Sequence, residues 1–452
     1  MKFETLSLPK EMLENIQQLG FEAMTQIQQE SLPIALKGED LIAQAKTGSG
    51  KTAAFGIPLL LKVNVKDFTP QVLVLTPTRE LAEQVAKELR RLARFKHNLK
   101  ILTLSGGMPM RAQINSLQHG AHVLVGTPGR ILDHLGKGTV NLSKIETIVL
   151  DEADRMLDMG FYEDIKKIIS NTPSKRQTLL FSATFEEETK KIAKEFTNKA
   201  KFVKTQSKHS KMIIKEHFYE VEIDEKEESL MEILYAKKPE SVIVFANTKA
   251  EVIALTDSLI ENGFSALDLH GDLDQIDRTQ TLLQFANRSC IILVATDVAA
   301  RGLDIKDVSM VINYGLPRQK EDYIHRIGRT ARAGKEGEAI TLFTYKEKRK
   351  LDTFYSDIEP ELLEKINNKE NLSLIASMKT LCIHGGKKNK LRAGDILGAL
   401  ARDMNIDPNA IGKIDIFDLY SYVAIQREHF SKALNSIKEG KIKGRKFKAW
   451  AV

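Results

Sequence analysis

Ala45-Lys46-Thr47-Gly48-Ser49-Gly50-Lys51-Thr52 is the stretch on which the reading of the fold turns. Asp40 to Gln44 before it reads as a short strand, and Ala53 to Leu61 after it opens an apolar helix. A glycine-rich loop between strand and helix turns several backbone N–H groups inward, beside the positive end of the helix dipole. Phosphates sit well in such a loop, with Lys51 reaching the outer phosphates and the Thr52 hydroxyl available to Mg²⁺. The strict pattern begins with glycine, and this chain has Ala45 there. Working outward, Val72–Leu75, Leu99–Leu104, Val123–Val125, Ile148–Leu150 and Thr178–Phe181 are short, nearly continuous apolar runs. Such runs suit strands of a parallel sheet covered on both faces. Helical spacing fills the gaps, as with Leu81, Val85, Leu89 and Leu92. Residues 1–205 are therefore expected to form a doubly wound α/β domain.

Polar residues 206–216 read as a linker, after which 217–365 repeat the α/β rhythm without a second phosphate loop. Residues 366–376 form a second linker, and 377–452 a small α+β unit. Three domains agree with a length of 452 residues. The two cysteines, Cys290 and Cys382, exclude a disulfide framework and a cysteine zinc site, and fit a reducing, cytoplasmic setting. No apolar run is long enough to span a membrane, and no leader pattern opens the chain, so no membrane partner is expected. Charge is uneven. Ser377 to Val452 hold 15 Lys and Arg against 7 Asp and Glu, a net +8, while the whole chain carries +7. A near-neutral body with a basic tail points to a polyanion engaged by the tail.

A hundred residues after Lys51, Asp151-Glu152-Ala153-Asp154 follows the strand Ile148–Leu150. Beside a phosphate loop, two acids at a strand end are what Mg²⁺–ATP hydrolysis requires. Asp151 is suited to hold the metal through water, and Glu152 to deprotonate the attacking water. ATP and Mg²⁺ are thus the expected cofactors.

These four residues and the ordered segments around them resemble the DEAD-box helicases. The remaining segments are Gly20 to Gln28 with an upstream Phe3, Pro77 to Ala82, Gly106-Gly107, Thr127-Pro128-Gly129-Arg130 and Ser182-Ala183-Thr184, then Gln275 to Arg278, Ala295 to Asp304 and His325 to Arg332. The resemblance implies two RecA-like doubly wound parallel-sheet domains in tandem. It implies that Gln28 reads the adenine edge, that Phe21 or Phe3 lies against the base, and that Asp304 contacts the ribose. By the same pattern Arg329 and Arg332 act as arginine fingers, a device able to supply about 10³–10⁵ in rate. His325 and Arg326 resemble couplers to Asp154, Ser182 and Thr184. Arg79, Gly107, Thr127, Gly129, Arg130, Gly271, Gln275, Arg278 and Thr296 lie on loops offering donors to phosphate and 2′-OH oxygens, so the RNA would be gripped without regard to its bases.

The tail runs strand, helix, two strands, helix, strand, which suggests an RRM-like fold. Tyr420 and Tyr422 fall at its two stacking positions on one strand, and Cys382 stands where the other strand should carry an aromatic. Ile383 to Lys390, Arg392 to Leu397 and Gly412 to Ile416 resemble the tail of DbpA-type bacterial helicases, as does Ala331. That resemblance implies binding of a 23S ribosomal RNA hairpin, through Lys387, Lys388, Lys390 and Arg392, by a monomer acting on a neighbouring duplex in the pre-50S particle. A DNA helicase of the same superfamily, or an ATP-switched RNA clamp that does not unwind, are the alternatives.

Overall fold

The computed structural model describes residues 1–45, 48–185, 187–205, 214–300, 305, 308–331, 336–355, 358–363 and 373–452. They fall into two compact units, residues 1–205 and residues 214–452. Lys46, Thr47, Asp304 and Arg332 of the expected site lie outside the described residues.

In the first unit, β1 (Leu41–Gln44), β2 (Val72–Leu75), β3 (Ile101–Leu104), β4 (Val123–Gly126), β5 (Thr147–Asp151), β6 (Gln177–Ser182) and β7 (Lys201–Lys204) form one parallel sheet. Its order is β3-β4-β2-β5-β6-β1-β7. Alternation along the strands feeds two cores. Val72 and Val74 face one layer of helices, whereas Leu73 and Leu75 face the other. The strand order reverses direction beside β1, and it is there that the carboxyl ends open a ligand crevice.

The second unit holds β8 (Ile214–Glu220), β9 (Val242–Phe245), β10 (Ala266–Leu269), β11 (Ile292–Ala295), β12 (Met310–Asn313) and β13 (Gly337–Phe343), all parallel, in the order β10-β11-β9-β12-β13-β8. Because β8 begins at Ile214, residues 214–216 belong to this sheet rather than to the linker expected over 206–216. The tail adds β14 (Met378–Ile383), β15 (Ile411–Ile416), β16 (Ser421–Gln426) and β17 (Ala449–Ala451), antiparallel, in the order β15-β16-β14-β17. Helices Ala393–Gly398 and Arg427–Glu439 complete the expected βαββαβ order and pack through Ile396, Phe430, Ala433 and Ile437 on one sheet face.

The tail is joined to the second α/β domain at several points. Leu374 pairs with Phe264 as a short parallel bridge, and the Ala376 N–H donates to Ser265 Oγ at 3.0 Å. Residues 373–376, expected to be linker, are thereby held against the edge beside β10.

Candidate nucleotide and RNA sites

The loop after β1 turns on glycines with positive φ, +84° at Gly48 and +92° at Gly50, which caps the helix Lys51–Lys62. A Cβ on Gly50 would lie 2.5 Å from Gln28 Nε2. Gln28 sits this close because its amide bridges two elements. Nε2 donates to the Gly50 carbonyl at 3.1 Å, and Oε1 accepts from the Thr25 N–H at 2.9 Å, closing a capping box on the helix Gln26–Leu36. The residue expected to read adenine is also a strut under the phosphate loop. Phe3 and Phe21 form one near-parallel pair, centroids 6.5 Å apart; Phe3 is buried and Phe21 half-buried, so Phe21 has the more accessible ring.

Lys51 Nζ and Asp151 Oδ1 face each other at 3.9 Å, both side chains buried and too far apart for a hydrogen bond. Neither atom has a hydrogen-bond partner among the described residues, and Ser49 Oγ and Ser182 Oγ are equally unpaired. Four buried polar atoms left unsatisfied in one crevice are rare in a folded protein and mark a ligand cradle. The set fits Mg²⁺–ATP: an ammonium and a hydroxyl for phosphate oxygens, and a carboxylate for a hydrated cation. Among the described residues no group of three or more His, Cys, Asp or Glu could hold a metal ion. Burial raises the Asp151 pKa to about 6, with Lys51 opposing the shift. A cation entering the site would favour the ionised form.

Glu152 follows in the left-handed region, φ +54° and ψ +53°, with its carboxylate 3.6 Å from Arg155 Nη1. A left-handed non-glycine residue costs roughly 1–2 kcal/mol and is often found at reactive positions. Asp154 Oδ2 accepts from the Ala183 N–H at 3.0 Å, the Thr184 N–H at 2.8 Å and Thr184 Oγ1 at 3.1 Å. Asp154 is thus tied to the segment after β6 within this unit. Arg79, Gly106-Gly107 and Thr127 to Arg130 follow the carboxyl ends of the neighbouring strands β2, β3 and β4. Arg79 packs its guanidinium over Gly106, and Arg130 donates to the Met108 carbonyl at 3.0 Å.

In the second unit Gly271 and Thr296 follow the adjacent strands β10 and β11, and the Thr296 N–H donates to the Leu269 carbonyl at 3.2 Å. Gln275 and Arg278 start the helix Gln275–Ala286, where Arg278 Nη2 reaches the Ala299 carbonyl at 2.7 Å. Arg326 departs from expectation. It is 1% exposed and directs all five guanidinium hydrogens into its own domain: two to Asp297, both at 2.6 Å, and the others to Asn313, the Gly315 carbonyl and Asn247. With no donor left over, Arg326 positions its own domain rather than coupling outward. Its neighbour His325 is half-buried, and Arg329 lies just past the end of helix Lys320–Ile327. Ala331 holds φ +56°, a strained value for any residue but glycine.

In the tail, Lys387, Lys390, Leu391, Arg392 and Lys443 line a cavity of about 430 Å³. Lys443 ties its rim, donating to the Lys390 carbonyl at 3.3 Å and to Asp395 at 3.2 Å. The Arg392 N–H and then Lys443 hold Asp395 below the usual carboxylate range. Tyr422 corrects another expectation. It is 5% exposed, packed with Cys382 against Leu283 of the second α/β domain, and its hydroxyl accepts from Gln280 at 3.4 Å. A ring so enclosed offers no face to a base. Tyr420 stays half-buried, stacked on His384, a residue that sequence reading passed over.

Comparison with known proteins agrees with this arrangement. Residues 25–192 match the DEAD/DEAH box helicase model, 225–334 the helicase conserved C-terminal domain, and 380–450 the DbpA RNA binding domain. The chain is 49% identical to the ATP-dependent RNA helicase DbpA of Escherichia coli, covering 98% of each, and 37% identical to DbpA of Bacillus subtilis, covering 99% of this chain and 98% of that one. Among solved structures, Saccharomyces cerevisiae Dbp5 bound to RNA and ADP BeF3 aligns over 79% of this chain and 94% of its own, with TM-score 0.71 and 33% identity.

Proposed function

The chain belongs to the DEAD-box ATP-dependent RNA helicases, and from that premise we propose that its tail selects a hairpin of 23S ribosomal RNA while the two α/β domains open an adjacent duplex during ribosome assembly. The observation that carries this reading is the tail cavity, whose four cationic side chains around one apolar residue suit the phosphates of a folded RNA. Sheet-face stacking through Tyr422 is not needed for it. The protein would act as a cytoplasmic monomer on the pre-50S particle.

For hydrolysis, Lys51 and Ser49 bind phosphate oxygens, Thr52 and Asp151 hold the cation, and Glu152 takes the proton of the attacking water. A Mg²⁺ held there with ATP would supply neutralisation of phosphate charge. Phe21 lies against adenine and Gln28 reads its edge, relaying occupancy to Gly50 through the strut already formed. Arg329, Arg332 and Asp304, in a domain without a phosphate loop, complete the nucleotide's surroundings, with His325 joining that domain to Asp154 and Thr184. Arg79, Gly107, Thr127, Gly129, Arg130, Gly271, Gln275, Arg278 and Thr296 grip the RNA backbone.

The test is ATP hydrolysis by the full chain with a 23S hairpin bearing a short duplex, against a scrambled hairpin and DNA of equal length. The native RNA should stimulate most, and Lys387→Ala with Lys390→Ala should erase the preference while leaving hydrolysis on excess RNA. Equal stimulation by all three nucleic acids would refute hairpin selection, and stimulation by DNA alone would favour the DNA-helicase alternative.

A further inference from the structure

The tail sheet turns one face to its own helices and the other outward. Across the outer face Tyr422 on β16, Cys382 on β14 and Trp450 on β17 stand in register. Beyond them, Tyr420 and His384 form a second row, ring centroids 5.1 Å apart and 23° from parallel. Tyr420 also meets Trp450 edge-on at 6.1 Å.

The two ends of this face differ. At one end, Leu283 covers Cys382 and Tyr422, and Thr380 Oγ1 bonds Asn287 at 2.9 Å and Ser289 at 2.8 Å. At the other end, His384 and Trp450 are exposed and Tyr420 half-buried. The chain around the open end is basic. Lys388, exposed, donates its N–H to the Asp418 carbonyl near Tyr420; Lys448, also exposed, accepts the His384 N–H; Lys446 is exposed two residues before it. Rings interleaved with ammonium groups are the surface that single-stranded nucleic acid uses, bases against rings and phosphates against cations. An apolar protein partner would gain nothing from the lysines.

We propose that His384, Tyr420 and Trp450 form a stacking site for unpaired RNA bases, with Lys388, Lys446 and Lys448 holding the adjoining phosphates. Trp450 thereby replaces, from the facing strand, the aromatic that Cys382 lacks. The site rests on the RNA-binding reading above and extends it. Helix Gln275–Ala286 fixes its place, since Gln280 and Leu283 hold the tail sheet while Arg278, among the proposed RNA contacts of the core, lies five residues before Leu283, about 8 Å of helix. Bases held on the tail are therefore presented close to the backbone grip of the second α/β domain.

Trp450 is the single tryptophan, so its emission reports the site without a label. The full chain is titrated with a ten-residue oligouridylate and with an abasic ribose-phosphate oligomer of equal length. Oligouridylate should quench Trp450, whereas the abasic oligomer should bind through charge and leave emission unchanged. His384→Ala and Trp450→Ala, followed with end-labelled RNA, should each weaken oligouridylate about tenfold, near the lower end of the range for one stacked base, and leave the abasic oligomer unaffected. Trp450→Phe, which keeps a ring, should restore most of the affinity and so separate stacking from misfolding. Equal quenching by both oligomers, or unchanged affinity in both alanine variants, overturns the proposal. If RNA still stimulates ATP hydrolysis in that case, the stacking site falls while the helicase reading stands; if RNA neither binds nor stimulates, the proposed function itself falls.

Discussion

Arg326→Ala separates a positioning role from a coupling one. The side chain is 1% exposed, and its five N–H groups meet five acceptors: both Asp297 oxygens, Asn313, Asn247 and the Gly315 carbonyl. The guanidinium also lies 5.1 Å from the centre of the Phe245 ring. Removing one partner of a buried ion pair costs about 3–5 kcal/mol. Asp297 keeps 22% of its side chain in water, which places this case near about 3 kcal/mol. A domain of this size loses roughly 2–4 °C per kcal/mol, so the second unit should melt about 6–12 °C lower. Arg326→Lys keeps the charge but has three donors on one atom, so it strands at least two acceptors and recovers less than half of the loss. Calorimetry of the full chain reads this directly, because nucleotide raises the first unit's transition and so identifies the other. A melting temperature unchanged within 2 °C, together with lost hydrolysis, would refute the argument and return Arg326 to the coupling role.

Gly50→Ala should weaken nucleotide binding at least tenfold in a fluorescent-ATP titration. At φ +92° the new Cβ is strained and lies 2.5 Å from Gln28 Nε2; unchanged affinity would show that the strut is not needed. Leu283→Glu should open the seam between the tail and the second α/β domain. Burial pushes both the Cys382 and Cys290 thiols up to about 12, so a thiol reagent at pH 8 should label neither in the unaltered protein and only Cys382 in the variant. Exposure would return Cys382 toward an ordinary pKa and raise its thiolate fraction from about 10⁻⁴ to about one quarter. Labelling of Cys290 alone, or of neither, would count against the seam.

What the sequence revealed follows from how local each feature is. Val72–Leu75 and Val123–Gly126 are buried on both faces, so their apolar runs announce central strands. Lys201–Lys204 and Ile214–Glu220 lie at sheet edges with exposed or half-buried polar positions, and their pattern resembles a loop. The phosphate loop was readable because eight consecutive residues build it. Arg326 was not, since its acceptors come from the segments after β9 and β11, from the end of β12 and from the turn beyond it, separated by as many as 79 residues. Asp297 stood inside a recognised motif with no task assigned, and only the fold supplies its partner.

The same distinction explains the tail. One missing aromatic at Cys382 made the stacking platform look incomplete, because the strand that brings Trp450 opposite it lies 68 residues further on. Part of the sheet face packs against the second α/β domain. A small side chain at Cys382 lets Leu283 approach, and Tyr422 closes that contact with its ring while its hydroxyl meets Gln280. An aromatic at position 382 would add bulk at the seam, where overpacking typically costs 1–3 kcal/mol. The rings displaced from the covered end reappear at the open end as His384, Tyr420 and Trp450. With Leu374 paired to Phe264, Ala376 bonded to Ser265 and Arg427 Nε donating to the Ala376 carbonyl at 3.0 Å, the seam is held from the entering chain as well as from the sheet. A tail anchored at both places is joined to the second α/β domain, so an RNA selected by the tail, as proposed above, would be carried with that domain.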